Sequence, residues 1–383
     1  MPDGKLRGGG DAPCHKWRKG SDLQHCLLGN ILETLRHRPK THTEPPKMTI
    51  NIALITSEAL VLGCDSISSV TQYLLDPWPF IARDGQGEIV ADEANRVTAQ
   101  FDYGALVPVV THAFGGVTKM FSLSTGHVEV AAITAGLAKL NEQTIRGIAV
   151  EFSHQPREEK TVKEVATSFL LFIKEKFDIH CAESQTPPEF QSDIEFLLGG
   201  FGENDSFPSL YRLKVKENSL ECVYEKGKSG LAWSGQADGV ERLIFGVDSQ
   251  LRSHIALEAN RLVDSVHQDM KDAMLRIIGD VLLAAGLETL PENINTELPP
   301  VPIAELPWGQ FRLDVDFANL PLQDAVDFVS YLVNLQSGRS KFVRGVATVG
   351  GRTHIGIITK GDPLKMLNEP EIAHRNVGFT NDY

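Results

Sequence analysis

The sequence predicts an α+β fold, and three observations carry that reading. Residues Thr49 to Ser66, TINIALITSEALVLGCDS, have the pattern of a strand, a turn and a second strand. Residues 254–287 instead place apolar side chains at helical spacing. The composition, 42% hydrophobic and 23% charged over 383 residues, is that of a globular chain long enough for one large domain or two.

In the first strand Ile50, Ile52 and Leu54 alternate with Thr49, Asn51 and Ala53, the period of two that sets one strand face on a core. Ser57-Glu58 marks a tight turn, and Ala59 to Cys64 is the short apolar run of a buried return strand. Antiparallel pairing of the two strands brings Asp65 back towards Thr49. Residues 71–115, with Asp76-Pro77-Trp78-Pro79-Phe80 and Asp84-Gly85-Gln86-Gly87, read as an inserted loop or hairpin, either a surface elaboration or a lining of a substrate pocket. Gly199-Gly200-Phe201-Gly202 reads as a turn rather than a phosphate cradle, because no lysine-bearing helix start follows it.

The helical stripe consists of Leu262, Val266, Met270, Met274, Ile277, Ile278, Val281 and Leu282, with Gly279 as a bend and Gly286 as a stop. Such a stripe is read as core or subunit packing. Residues 288–308, with Pro291, Pro299, Pro300, Pro302 and Pro307, read as an extended linker, and the segment after Met366 as a polar tail.

Charge divides the chain unevenly. Residues 1–47 hold nine Lys and Arg against five Asp and Glu, a net of +4, so the remainder carries −17 of the overall −13. An acidic body argues against a nucleic-acid groove, which needs a clustered basic face. Residues 1–48 are read as an extension outside the fold: a propeptide, a tail, or a translation start assigned too early. The last is favoured, since Met48 is the first methionine after Met1 and directly precedes Thr49. No apolar run approaches the ~20 residues of a membrane helix, and the first 30 residues carry no signal-peptide core. Cys14, Cys26, Cys64, Cys181 and Cys222 are odd in number and scattered, without disulfide or metal-type spacing, which suits a reducing cytoplasm. There is no Walker-A sequence, no H-E-x-x-H and no G-x-S-x-G, and no metal or cofactor is expected.

The stretch from Thr49 to Asp65 resembles, without a gap, the start of proteasome β-subunits and bacterial proteasome-like proteases, members of the N-terminal-nucleophile hydrolases. Further segments follow in the same order to about residue 365. Thr118 to Leu123 is similar to the family's lysine-bearing strand, and Val130 to Gly136 to the strand and turn that carry its oxyanion donor. Leu197-Leu198-Gly199-Gly200 with Pro208-Ser209-Leu210-Tyr211 is similar to its central hairpin, and Trp233-Ser234-Gly235-Gln236 to a Ser-Gly element opening a long helix. Leu322 to Leu335 and Gly350 to Thr359 are similar to its late helix and Gly-Gly strand. The resemblance implies a four-layer αββα sandwich, two antiparallel sheets flanked by helices. It implies a domain over 49–365, with insertions at 71–115 and about 255–310, and a tail at 366–383.

What the resemblance implies for chemistry is a threonine peptidase or amide hydrolase. Thr49, with its α-amine free, is both nucleophile and base; such an amine has an unperturbed pKa of about 7.7–8.0. Lys119 supports the alkoxide, Asp65 orients Lys119, and the N–H of Ala132 stabilises the oxyanion, a contribution worth about 2.7–4 kcal/mol for one donor. Ser234 lies near the threonine amine, or else caps the following helix. The family's aspartate and serine before the Gly-Gly strand fall here on Val346 and Val349, with Thr348 as the residue that could compensate. Peptide or protein substrates, a homo-oligomeric ring or stack and an unfoldase ATPase are the implied partners. Two alternatives stand beside this reading: a non-catalytic scaffold subunit, and an amidohydrolase acting on a small amide.

Overall fold

The computed structural model describes residues 48–75, 78–84, 86–91, 96–97, 106–184, 191–225, 227–286, 312–343 and 346–367. Residues 1–47 of the expected extension at 1–48, the linker at 288–308 and all of the tail past residue 367 lie outside them. The chain divides into two compact units, 1–44 with 75–107, and 45–74 with 108–383. In the first, the described residues form a single 3-10 turn at Trp78–Phe80 and two isolated bridges, Arg83 to Ile89 and Ala91 to Val97.

The second unit is α+β, as expected, with antiparallel sheets and, among the described residues, five α-helices. One five-stranded sheet contains β1 (Ile50–Ile55), β2 (Ala59–Cys64), β12 (Gly230–Gly235), β13 (His354–Thr359) and β14 (Asp362–Met366), in the order β12-β1-β2-β13-β14. The other contains β5 (Met120–Ser122), β6 (Glu129–Gly136), β9 (Ile194–Phe201), β10 (Ser209–Lys214) and β11 (Ser219–Tyr224), in the order β11-β10-β9-β6-β5. Two small ribbons complete the strands: β3 (Ser68–Leu75) with β4 (Leu106–Phe114), and β7 (Lys139–Leu140) with β8 (Gln143–Thr144).

The β1–β2 hairpin turns at Thr56, whose Oγ1 accepts from the N–H groups of Glu58 and Ala59 at 3.2 and 3.1 Å. Unlike the one-sided strand that the alternation suggests, every residue of β1 and β2 is buried. The period of two survives as a division between two cores. Ile50, Ile52 and Leu54 meet Val329, Leu332 and Val333, whereas Ala53 and Ile55 join Leu60, Leu62, Ala131, Ile133 and Leu197. A third cluster sets Val130, Ala132, Leu198 and Leu213 against Phe152, Phe169 and Phe177.

The helices are α1 (Ile145–Ser153), α2 (Val162–Ser184), α3 (Asp238–Phe245), α4 (Ser249–Ala284) and α5 (Leu322–Phe342). A reciprocal cap starts α2: Thr161 Oγ1 accepts from Glu164 N–H at 3.2 Å, and Glu164 Oε2 accepts from Thr161 N–H at 3.1 Å. α5 lies directly on β2, because a Cβ at Gly63 would stand 2.4 Å from Val329 Cγ1. Among the described residues no helix is long and apolar enough to cross a membrane.

Several local expectations are corrected. Gly199 and Gly200 belong to β9 rather than to a turn; Gly199 pairs with Leu210, where a bare backbone admits close neighbours. The helix after Trp233-Ser234-Gly235-Gln236 is the eight-residue α3, ended by Gly246 at φ 76°. The long helix starts only at Ser249, capped by Asp248, whose side chain accepts from Leu251 N–H at 2.7 Å. It continues through Gly279 to Ala284, since one glycine costs only about 1 kcal/mol in a helix.

Candidate active site

The hairpin geometry places Thr49 and Asp65 together. β1 leaves from Thr49, β2 ends at Cys64, and Asn51 pairs with Cys64 in the register. Thr49 is 5% exposed and Asp65 is fully buried. Asp65 closes the hairpin with its side chain: Oδ1 accepts from Ile50 N–H at 3.1 Å, and Oδ2 accepts from Ile67 N–H at 3.1 Å and Gly350 N–H at 3.0 Å.

The third member comes from the other sheet. Lys119 immediately precedes β5 and is also 5% exposed. Its Nζ donates to Asp65 Oδ1 at 2.7 Å and to Thr49 Oγ1. A buried charge persists only when paired and hydrogen-bonded, and here the ammonium and the carboxylate meet both conditions. Because Nζ donates to Thr49 Oγ1, the hydroxyl keeps its own proton for a different acceptor.

Gln236, to which the sequence reading gave no role, and Thr348, named there as a compensating residue, hold the Thr49 backbone. Gln236 N–H donates to the Thr49 carbonyl at 2.6 Å, and Thr49 N–H donates to the Thr348 carbonyl at 3.3 Å. Thr348 Oγ1 then donates to Gln236 Oε1 at 2.7 Å, which ties the two supports together. Thr49 itself has φ 92°, a value that is a genuine outlier for a β-branched residue. The sequence places Gln236 beside Ser234 and Thr348 beside Val349, but only the folded loops show that their side chains bond to each other.

Other expected residues fall elsewhere. Ala132 sits inside β6, paired with Phe121 on one side and Leu198 on the other, its side chain in the core against α2. The structure does not bring it to Thr49. The part of β6 beside Lys119 is Thr134, whose N–H donates to the Lys119 carbonyl at 3.0 Å. Amide direction alternates along a strand, and Leu137 N–H points to Asp193 on the β9 side at 3.3 Å. Gly136 N–H therefore faces the Lys119 side, past the end of β5. Its φ of 103° and a would-be Cβ 2.0 Å from the Asp193 carbonyl oxygen account for glycine at this position.

Ser234 is buried, but its Oγ accepts from Asn51 Nδ2 at 3.1 Å. It caps no helix: α3 has Ala237 at its N-cap, without a side-chain bond. Val349 is fully buried in the cluster against α5, and Val346 is 49% exposed. Neither adds a polar group near Thr49.

Behind the Lys119–Asp65 pair, Cys64 faces His354 across β2 and β13. Burial pushes the Cys64 thiol up to about 12, Lys119 pulling it down and Asp65 adding to the rise. Burial, and then the Lys119 charge, hold His354 below its ordinary value. Neither His354 nitrogen has a hydrogen-bond partner among the described residues. A neutral thiol and an unbonded imidazole do not make a cysteine–histidine nucleophile pair. Among the described residues, no group of three or more His, Cys, Asp and Glu stands where a metal ion could be held.

No protein-family model matches the chain, and no curated protein does. Among solved structures it is similar to Anbu (Gly-1) mutant from Hyphomicrobium sp. strain MC1, at 11% identity and a TM-score of 0.40, over 83% of this chain and 87% of that one. A second Anbu structure from the same organism gives 10% identity and a TM-score of 0.39, with coverage of 83% and 87%. Anbu (ancestral beta-subunit) from Yersinia bercovieri gives 10% and 0.37, with 82% of each chain covered. These findings correct the family named from the motifs: no family model carries it, and the similar solved structures are Anbu proteins.

Proposed function

We propose that the chain is an amide hydrolase whose nucleophile is Thr49 Oγ1 and whose base is the α-amine of the same residue, freed by removal of the preceding chain. The observation that carries this reading is the buried bridge of Lys119 Nζ between Thr49 Oγ1 and Asp65 Oδ1. A threonine hydroxyl becomes a useful nucleophile only with a base beside it, and the residue's own amine is the nearest candidate. The strained φ of Thr49 supports the same processing, since loss of the Met48 carbonyl removes the clash that disfavours it.

In the proposed reaction Oγ1 attacks the substrate carbonyl carbon while the amine takes the hydroxyl proton. The oxyanion accepts from Gly136 N–H, in place of Ala132, and Lys119 offsets the charge developing on Oγ1. The amine then passes its proton to the leaving nitrogen. Water, deprotonated by the same amine, cleaves the resulting ester and restores Thr49. Thr348, through its carbonyl and its bridge to Gln236, orients the amine where Val346 and Val349 give no polar help. The substrate is a peptide or a smaller amide.

The αββα layering belongs to the same proposal, supported by three core clusters in which helices meet one sheet, the sheets meet each other, and helices meet the second sheet. A non-catalytic scaffold is favoured by one observation, the apolar Val349 in the frame around Thr49. The test is hydrolysis of a panel of peptide and small amides by chain beginning at Thr49. Activity that disappears in Thr49→Ala, persists partly in Thr49→Ser and is absent while Met48 remains supports the enzyme. Activity equal in Thr49→Ala overturns it, and no turnover in any form favours the scaffold.

A further inference from the structure

The helix α4 (Ser249–Ala284) has 36 residues, none of them buried. At 1.5 Å per residue it is about 54 Å long. Most helical stability in proteins comes from packing an apolar face, yet none of the described residues covers this one. Leu262, Val266, Met270, Met274, Ile277 and Val281 follow one another three or four residues apart and are 66, 49, 61, 47, 64 and 62% exposed. Single exposed apolar residues are ordinary, whereas a continuous row of this length marks an interaction surface.

We propose that the row is covered by α4 of a second copy of this chain, lying antiparallel. The direction follows from the charges. Glu258 and Arg276 stand 18 residues apart, five turns at 3.6 residues per turn, so both flank the row on the same edge. Ile255 and Ala259 continue the row towards the helix start at the same spacing of three or four residues, so the row from Ile255 to Val281 has its midpoint at position 268, beside the midpoint of Glu258 and Arg276 at position 267. A two-fold axis at that level lays apolar row on apolar row and sets Glu258 of each copy against Arg276 of the other. In a parallel pair each edge of one helix faces the opposite edge of the other, so Glu258 would not meet Arg276 of the second copy. In the single chain Glu258 meets Arg261 of its own helix at 2.7 Å, with side chains 48% and 65% exposed, so both remain accessible to a partner. The pairing does not depend on hydrolysis at Thr49, which lies on other elements.

Sedimentation of the full chain over a micromolar concentration series tests this. The expected result is a dimer that Met270→Glu turns into a folded monomer. Glu258→Arg or Arg276→Glu alone should weaken the dimer roughly tenfold, through two symmetric pairs of modest strength each, and the two together should restore it. A chain that stays monomeric, a dimer indifferent to Met270→Glu, or single reversals without rescue in the double variant overturns the proposal. So does a monomer whose α4 amides are strongly protected from hydrogen exchange, since another part of the same chain then covers the row.

Discussion

Around Thr49, three polar side chains from separated elements are 5% exposed or less and all are hydrogen-bonded, while along α4 not one of 36 residues is buried. Both regions announced themselves by periodicity, one at two residues and the other at three to four. Periodicity states that a face is apolar and leaves open what covers it. In the hairpin the same chain supplies the cover on both sides; on α4 the described residues supply none. Mutational cost should therefore differ sharply between the two regions even for residues equally prominent in the sequence.

The largest effect is expected at Asp65. Asp65→Ala strips Lys119 of its buried partner and leaves the N–H groups of Ile50, Ile67 and Gly350 without their acceptor. Breaking a buried pair typically costs about 3–5 kcal/mol, to be read from the urea midpoint at constant slope. For the same reason Lys119→Ala is a poor catalytic probe, because it strands Asp65 and tests folding as much as chemistry.

Next comes Gly63→Ala, whose added Cβ would meet Val329 Cγ1 at 2.4 Å and push α5 from β2. Overpacking of this kind costs about 1–3 kcal/mol. A thermal midpoint equal to that of the parent chain would contradict direct packing of α5 on the hairpin.

His354 gives a pH-dependent term. Its folded pKa lies below its ordinary value, first through burial and then through Lys119, whereas in the unfolded chain it titrates near about 6.5. The unfolded state thus binds a proton that the folded state does not. Stability should fall as pH drops through about 6.5, until the folded pKa is reached. His354→Leu removes two buried unpaired nitrogens, so it should leave stability at pH 8 nearly unchanged or slightly raised and flatten the acid side. Denaturant midpoints at pH 5 and pH 8 for both chains check it.

The smallest effect is expected on α4. In dilute, unassociated chain, Met274→Lys should change stability by no more than about 0.5 kcal/mol, as for an ordinary surface position. A loss of several kcal/mol in the dilute chain would mean that its own residues cover that face.

The hairpin was legible because alternation, a polar turn and an apolar return run are local signals, and they suffice to bring Asp65 towards Thr49. The place of Lys119 beside Thr49 was expected from a motif resemblance alone, since nothing local sets one lysine apart. Ala132 was misplaced because β6 reads as a uniform apolar run; only the β5 register shows that amides are consumed as far as Thr134 and that Gly136 lies beyond. Thr348 was named as a compensating residue, but its link to Gln236 was not legible. That link joins loops 112 residues apart, and no spacing rule reaches across that distance. The long helix and its stop were legible in the apolar spacing and in Gly286, which follows the helix end at φ 73°.

The measurement closest to the central claim is the intact mass of chain beginning at Thr49 after exposure to a threonine-directed electrophile, taken across pH 6 to 9. The account predicts a single adduct mapped to Thr49, forming faster as pH rises through about 7.7–8.0, where an α-amine loses its proton. It predicts no adduct when Met48 is retained, since that nitrogen is then an amide and accepts no proton. Equal labelling of both forms, or no labelling of the form with a free Thr49 amine, would contradict Thr49 as nucleophile and base.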